Sequence, residues 1–330
     1  MPGATTGVYV AIVTSPPAVP ASALLAITTT LVLWASAFVA IRHLGQVVGP
    51  GELSLGRLLV ASVALGVLLA LRSMRRGVRP QMPQARDWPL LLACGVAWFG
   101  VYNISLNAAE QRIDAGTTAL VIQIGPLVVA LLAAVLLAEP LHRWLVIGMV
   151  VGFSGVALIA QGSAGAAHLD PLGVGLALVA ALTYAVGVLT QKPLLRRIPP
   201  LETTFLACLV GAAVCLPWAG DLVVVLRDGS PATLWWIVYL GVFPTAVAFS
   251  TWAYALTHTD AGKLALTTFL VPLIATLMAW LALSEVPPAL SFVGGALAIA
   301  GVLLTRVRRR PRRADHGAGK EAAEDPAPAG

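Results

Sequence analysis

The chain has 330 residues, 58% hydrophobic and only 11% charged, with a mean hydropathy of +0.87 and a net charge of +6. Soluble domains average about 25% charged residues, so a water-facing surface cannot be built from this composition, and its long apolar stretches read as transmembrane helices. The positive charge lies in short loops and in the tail from Arg306 to Arg313 rather than on one face, which argues against a nucleic-acid partner.

Met1 to Ala21 holds no Lys or Arg and therefore lacks the basic region of a signal peptide. With Pro16, Pro17 and Pro20 it reads as a cytoplasmic lead-in, residues 1–22. At about 20 mostly apolar residues per crossing, the sequence predicts ten spans. In order they are 23–44, 53–71, 88–109, 115–137, 142–161, 171–191, 202–219, 233–256, 262–284 and 288–305. Gly, Pro and charged residues punctuate them, as at Gly49-Pro50-Gly51, Glu139-Pro140, Pro199-Pro200 and Pro287-Pro288. The last segment, 306–330, is basic and then rich in Ala, Pro, Gly and Glu, a disordered tail whose basic part is expected to touch anionic membrane lipid. The expected fold is an all-α integral membrane protein.

Orientation follows from Lys and Arg on alternate sides. The side bearing both termini holds 17, the opposite side three (Arg42, Arg112 and Arg227), and Arg57 falls within the second span. The positive-inside rule places both termini in the cytoplasm. Scarce lysine beside abundant Ala, Gly and Arg points to a high-GC bacterium, and so to its inner membrane.

Sliding the chain by 146 residues aligns Asp114-Ala115-Gly116 with Asp260-Ala261-Gly262, Pro126 with Pro272, Glu139 with Glu285 and Gly155 with Gly301. From Asp114 to Leu158, 15 of 45 positions are identical. The period is too long for a solenoid repeat and duplicates half a protein, 23–162 and 171–305. Five spans per half is an odd number, so the second copy enters the membrane from the opposite side. Inverted repeats of this kind recur in secondary transporters, with the binding site near the midplane between the halves.

The residues Leu33-Trp34-Ala35-Ser36-Ala37-Phe38-Val39-Ala40-Ile41-Arg42, Arg57-Leu58-Leu59, Asn107-Ala108-Ala109 and Leu137-Ala138-Glu139-Pro140-Leu141 occur in order with the repeated Asp-Ala-Gly, Pro and Glu positions. Together, over about 25–305, the chain resembles the EamA-type transporters of the drug/metabolite transporter superfamily. The resemblance implies ten helices with cytoplasmic termini, a central cavity lined by helices 1, 3, 4, 6, 8 and 9, and export or exchange of small metabolites. It departs from the family pattern where Val286 separates Glu285 from Pro287.

Polar and aromatic residues concentrate in those helices, and Trp34, Tyr102, Asn103, Gln123, Tyr184 and Trp252 are the expected substrate contacts. Trp98, Thr267, Thr268 and Ser250 share the same depth and read equally as interhelical bonds. Pro126 and Pro272 free a backbone carbonyl at mid-span and are expected as hinges or cavity walls. Glu139 and Glu285, at equivalent helix ends, are expected as gating carboxylates or as plain helix-end charges. Glu139 precedes Arg143 by four residues, the spacing of a helical ion pair. Arg42 and Arg57 either snorkel to the interface or attract an anionic substrate group. Gly148, Gly152 and Gly155, with Gly294, Gly295 and Gly301, form small-residue faces that pack the two halves together or seam a homodimer.

Other functions fit less well. An embedded enzyme acting on a lipid-like substrate needs a catalytic constellation, and His43, His142, His168, His258 and His316 all lie near interfaces, in loops or in the tail. Cys94, Cys208 and Cys215 form no metal or disulfide pattern, so no cofactor and no metal are expected. A channel would show charged rings or filter loops. The expected function is alternating-access transport of a small organic solute, with a membrane-embedded enzyme or a non-transporting scaffold as the alternatives.

Overall fold

The computed structural model describes residues 19–77, 79–113, 115–163, 170–283 and 288–307. Asp114, Glu285, most of the lead-in and most of the tail lie outside the described residues. Every described element is helical. We label the helical segments α1 (Ala21–Leu44), α2 (Pro50–Arg76), α3 (Ala85–Glu110), α4 (Ala115–Ile122 and Ile124–Leu136), α5 (Arg143–Ser163) and α6 (Pro171–Leu194). The remainder are α7 (Pro200–Val214), α8 (Pro231–His258), α9 (Ala261–Leu266 continuing to Leu283) and α10 (Ala289–Thr305). Eight described helices are long and apolar enough to cross a membrane, and α7 makes a ninth if its bent continuation Leu216–Asp228 is counted with it. Their outward faces carry Leu131, Val135, Val146, Val150, Leu182 and Val223 in exposed positions. Apolar surface on that scale is solvated by lipid tails; this is a multi-pass membrane protein.

Local chemistry sets the helix ends. Proline, whose missing N–H costs nothing in a first turn, opens α2, α6, α7 and α8. Gly77 closes α2 with φ of 63°, a left-handed cap that suits a residue without Cβ. The seventh span was expected as one rod over 202–219. Instead the chain turns by 60° after Val214, and Ala219–Asp228 forms a further short helix. Pro217 cannot continue the α7 hydrogen-bond ladder, and Leu222 tucks against the Gly56 position of α2.

Helix pairing has an internal symmetry. The pairs α3–α6, α4–α6 and α3–α7 have counterparts in α8–α1, α9–α1 and α8–α2, while α4–α9, α5–α10 and α2–α7 each map onto themselves when every helix is exchanged for the one five along. Two helices share a second feature. Gly95–Val101 in α3 and Gly241–Val247 in α8 are π-helical, again 146 residues apart. Such wide turns are rare and concentrate at functional sites.

The glycine faces meet within the chain. A Cβ on Gly148 would stand 2.6 Å from the Gly301 carbonyl oxygen, and one on Gly155 would stand 2.5 Å from that of Gly294. Helix backbones touch only where side chains are absent, so α5 and α10 form one tight seam. Of the two expected readings of these faces, the described residues show packing within the chain, with Gly152 also against Phe269 and Gly295 against Leu273.

Candidate functional site

The site begins with two prolines. Each lacks an N–H and leaves the carbonyl four residues earlier without its helical donor. Pro272 frees the Thr268 carbonyl, and Gln123 Nε2 of α4 donates to that oxygen at 2.6 Å. Thr268 Oγ1 donates back to Gln123 Oε1 at 3.3 Å. The helices bearing both residues are loosened there: α4 breaks between Ile122 and Ile124, and α9 tightens to a 3₁₀ turn over Thr267–Phe269. Pro244 likewise frees the Leu240 carbonyl, which accepts from Thr245 Oγ1 at 2.7 Å. Thr245 Oγ1 in turn accepts from Arg57 Nε at 3.0 Å.

These devices surround a cavity of about 190 Å³. Its wall includes Trp34 and Phe38 of α1, Arg57 of α2, and Trp98, Tyr102 and Asn103 of α3. Gln123 and Pro126 of α4, Tyr184 of α6, Phe249 of α8, and Thr268 and Pro272 of α9 complete it. The rings form one cluster: Trp34–Phe249 centroids are 5.3 Å apart, Trp98–Phe249 5.0 Å and Trp98–Tyr184 5.4 Å. Edge-to-face pairs of this kind hold rings at fixed angles. Gly187 makes room for Trp98, because any Cβ there would collide with the indole.

Of the expected contacts, the structure brings Trp34, Tyr102, Asn103, Gln123 and Tyr184 to the wall. Trp252 stands behind it, its ring 5.0 Å from Trp34 and only 1% exposed. Gln123 spends both ends of its amide on Thr268, so it ties α4 to α9 across the cavity. Asn103 donates to the Trp98 and Phe99 carbonyls, leaving its Oδ1 as an acceptor. Arg57 does not snorkel: it is 3% exposed and lines the cavity. Phe249 was not singled out in the sequence, although the 146-residue offset pairs it with Asn103.

Glu139 lies away from the cavity, at the end of the bundle where α4 stops and α9 starts. Its Oε1 accepts from the Ala261 amide at 2.6 Å and its Oε2 from the Gly262 amide at 2.9 Å. A carboxylate is well placed on such unpaired first-turn amides. The expected pair with Arg143 does not form; Arg143 sits over the Trp144 ring, 5.4 Å from its centroid. Ala138, at φ 54°, turns the chain so that Glu139 faces α9 instead. At this same end Lys192 Nζ donates to the Leu256 and Thr259 carbonyls, each at 2.6 Å, and Arg197 pairs with Asp87. Lys263 pairs with Asp260 at 2.7 Å. Along α9 the Glu139 contact at Gly262 precedes Thr268 by six residues, roughly 9 Å of helix rise, and the other lining residues of α9 lie further on.

The opposite end has ties of its own: Gln111 Nε2 donates to the Gly45 and Val48 carbonyls, both at 3.2 Å. Arg112 Nη1 donates to Asp170 Oδ2 at 3.1 Å, and Asp170 Oδ1 accepts from the Leu172 amide at 3.0 Å. The Arg112 hydrogen bond, then the Leu172 amide, hold the Asp170 carboxyl below the usual carboxylate range. A depressed folded-state value means the stabilisation is present above the ordinary pKa and is lost as pH falls through the lowered one. Asp170→Asn should therefore lower Tm slightly at pH 7, with the deficit closing only in strongly acidic buffer. A deficit constant across the acid range would contradict this account.

The comparisons with known proteins agree with the architecture. The profile of the EamA-like transporter family matches residues 21–161 and 171–307. A Streptantibioticus cattleyicolor protein described as a "probable terminal-alkyne amino-acid exporter" is 38% identical over 288 residues, 87% of this chain and 94% of that one. The Bacillus subtilis transporter YdfC is 30% identical over 281 residues, 84% of this chain and 88% of its own. A solved crystal structure shares the fold with a TM-score of 0.69 at 22% identity, over 86% of this chain and 96% of that chain.

Proposed function

The chain belongs to the EamA-like transporter family, and on that premise we propose that it exports a small organic solute by alternating access, as a transporter rather than an enzyme. The observation that carries this reading is the cavity itself, walled by α1, α3 and α4 of the first family-matched segment and by their counterparts α6, α8 and α9 of the second, with Arg57 of α2 and Ile159 of α5 added from the first. We read these segments as inverted five-helix repeats crossing ten times in all. The π-helical turns and the helix pairing, both repeated at the same interval, support that reading. Two similar bundles related by a two-fold can rock about a shared site.

The charge count puts both termini in the cytoplasm of a bacterial inner membrane. We read the contacts around Glu139 as closing the cytoplasmic side. Glu139 is the cytoplasmic latch, Pro126 and Pro272 are the hinges beside the cavity, and Glu285 takes the latch role on the outer side, on sequence equivalence alone. Trp34, Tyr102, Asn103, Tyr184 and Gln123 shape the substrate site, with Trp252 supporting Trp34.

Cells overexpressing the protein should tolerate a toxic amino acid analogue or drug better than controls, and an energised efflux assay should show lower accumulation. Tyr184→Ala, which opens the aromatic wall, and Gln123→Ala, which orphans the Thr268 carbonyl, should each cut efflux about tenfold at unchanged membrane expression. Wild-type kinetics in both would remove these residues from the site. Sensitivity equal to the control across amino acids, analogues and drugs would count against export.

A further inference from the structure

Among the described residues, Arg57 is the one charged side chain on the wall of the cavity. Its Nε is held by Thr245, and its two Nη groups have no hydrogen-bond or ion-pair partner among the described residues. Glu110 is close enough to act on it electrostatically but makes no ion pair with it, and Glu110 Oε1 is itself buried without a partner. A cation buried in a membrane protein without a counter-ion is costly, and such residues mark substrate pathways. The tether is specific: Pro244 exposes the Leu240 carbonyl, Thr245 turns its hydroxyl hydrogen to it, and the hydroxyl oxygen is left for Nε. What remains is a planar fork of Nη donors beside a cavity, the geometry that receives a carboxylate bidentately.

The rest of the wall limits the partner. An apolar cavity of about 150 Å³ accommodates benzene, so about 190 Å³ holds a body of one ring or a short chain with a small polar head. Trp34 Nε1, a donor only, is buried with no acceptor among the described residues. Among the described residues no Asp or Glu lines the cavity, so a solute with net positive charge would meet Arg57 with no carboxylate on the wall to receive it. We propose that Arg57 is the specificity-determining anion receptor, and that the solute carries a carboxylate on a compact apolar body; this rests on the transport reading of the same cavity.

The test is equilibrium binding to the full chain in detergent, read by the intrinsic fluorescence of the lining tryptophans. Phenylacetate, phenylacetamide and phenethylamine keep one body and change the head from anion to neutral to cation. Phenylacetate should bind about tenfold or more tighter than phenylacetamide, and phenethylamine weakest. Arg57→Gln should abolish the preference for carboxylate over amide while amide binding persists, and Arg57→Lys, charged but without the fork, should fall between. Equal affinity for carboxylate and amide, a preference that survives in Arg57→Gln, or binding of none of the three probes would overturn the assignment. The wild-type comparison decides it even where Arg57→Gln does not fold. Selective binding of phenylacetate by a protein that moves no solute across proteoliposomes would instead sink the transport reading and leave the Arg57 assignment standing.

Discussion

Glu139→Ala should free the end of the bundle where α4 meets α9 and cut export at least tenfold while the protein still reaches the membrane. One carboxylate accepts two amide hydrogen bonds from the first turn of α9, at 2.6 and 2.9 Å. Bonds to a charged group contribute about 1.5–3 kcal/mol each. Taking about 3 kcal/mol for the partly exposed pair, their loss moves a two-state equilibrium by roughly 150-fold. Ala265 lies three residues beyond Gly262 and is fully buried, so a cysteine there reports on opening of the latch. In an Ala265→Cys background, labelling by a water-soluble maleimide should accelerate sharply when Glu139→Ala is added. Glu139→Gln, which keeps one carbonyl acceptor and loses the charge, should fall between. Unchanged labelling together with unchanged export would show that Glu139 merely decorates a helix end.

Most of the membrane-capable helices and most of the cavity wall were legible because burial in lipid imposes a simple rule: apolar length locates a helix, and deep polar residues locate its useful face. That rule yields depth but not azimuth. A long arginine stem at the depth of Arg57 can reach interface or interior equally well, and only the Thr245 hydroxyl across the bundle decides between them. Trp252 has the right depth but points one layer behind the wall, against Trp34. Phe249 looked like any other apolar residue, and only its equivalence to Asn103 carried a signal. The partner of Glu139 was hidden for another reason. Helical spacing favours Arg143, but it presumes a continuous helix, and Pro140 with the left-handed Ala138 ends the helix first. Its true partners are backbone amides 122 and 123 residues away, a contact no local spacing encodes.

Gly155→Leu and Gly301→Leu should be the most damaging single substitutions outside the cavity, each eliminating folded protein. At Gly155 the nearest atoms are the backbone oxygen of Gly294 and the backbone nitrogen of Ala298, both 2.5 Å from a Cβ. Backbone cannot rotate aside as a side chain can, so α5 and α10 must separate along their length, beyond the 1–3 kcal/mol typical of overpacking. Gly175→Leu is the control, since nothing lies within 4 Å of its Cβ. Fluorescence size-exclusion of detergent extracts separates the two readings of this seam. A dimer interface would break into folded monomers that elute later, whereas an intrachain seam leaves aggregate or nothing. A monodisperse Gly155→Leu protein with normal export would refute the seam outright. Milder changes test how far the seam reaches. A Cβ at Gly152 would meet the Phe269 ring at 2.5 Å, next to the Thr268 carbonyl that holds Gln123. Gly152→Ala should therefore leave the protein folded yet lower export, because the α5–α10 seam and the α4–α9 tie share the loosened turn at Thr267–Phe269.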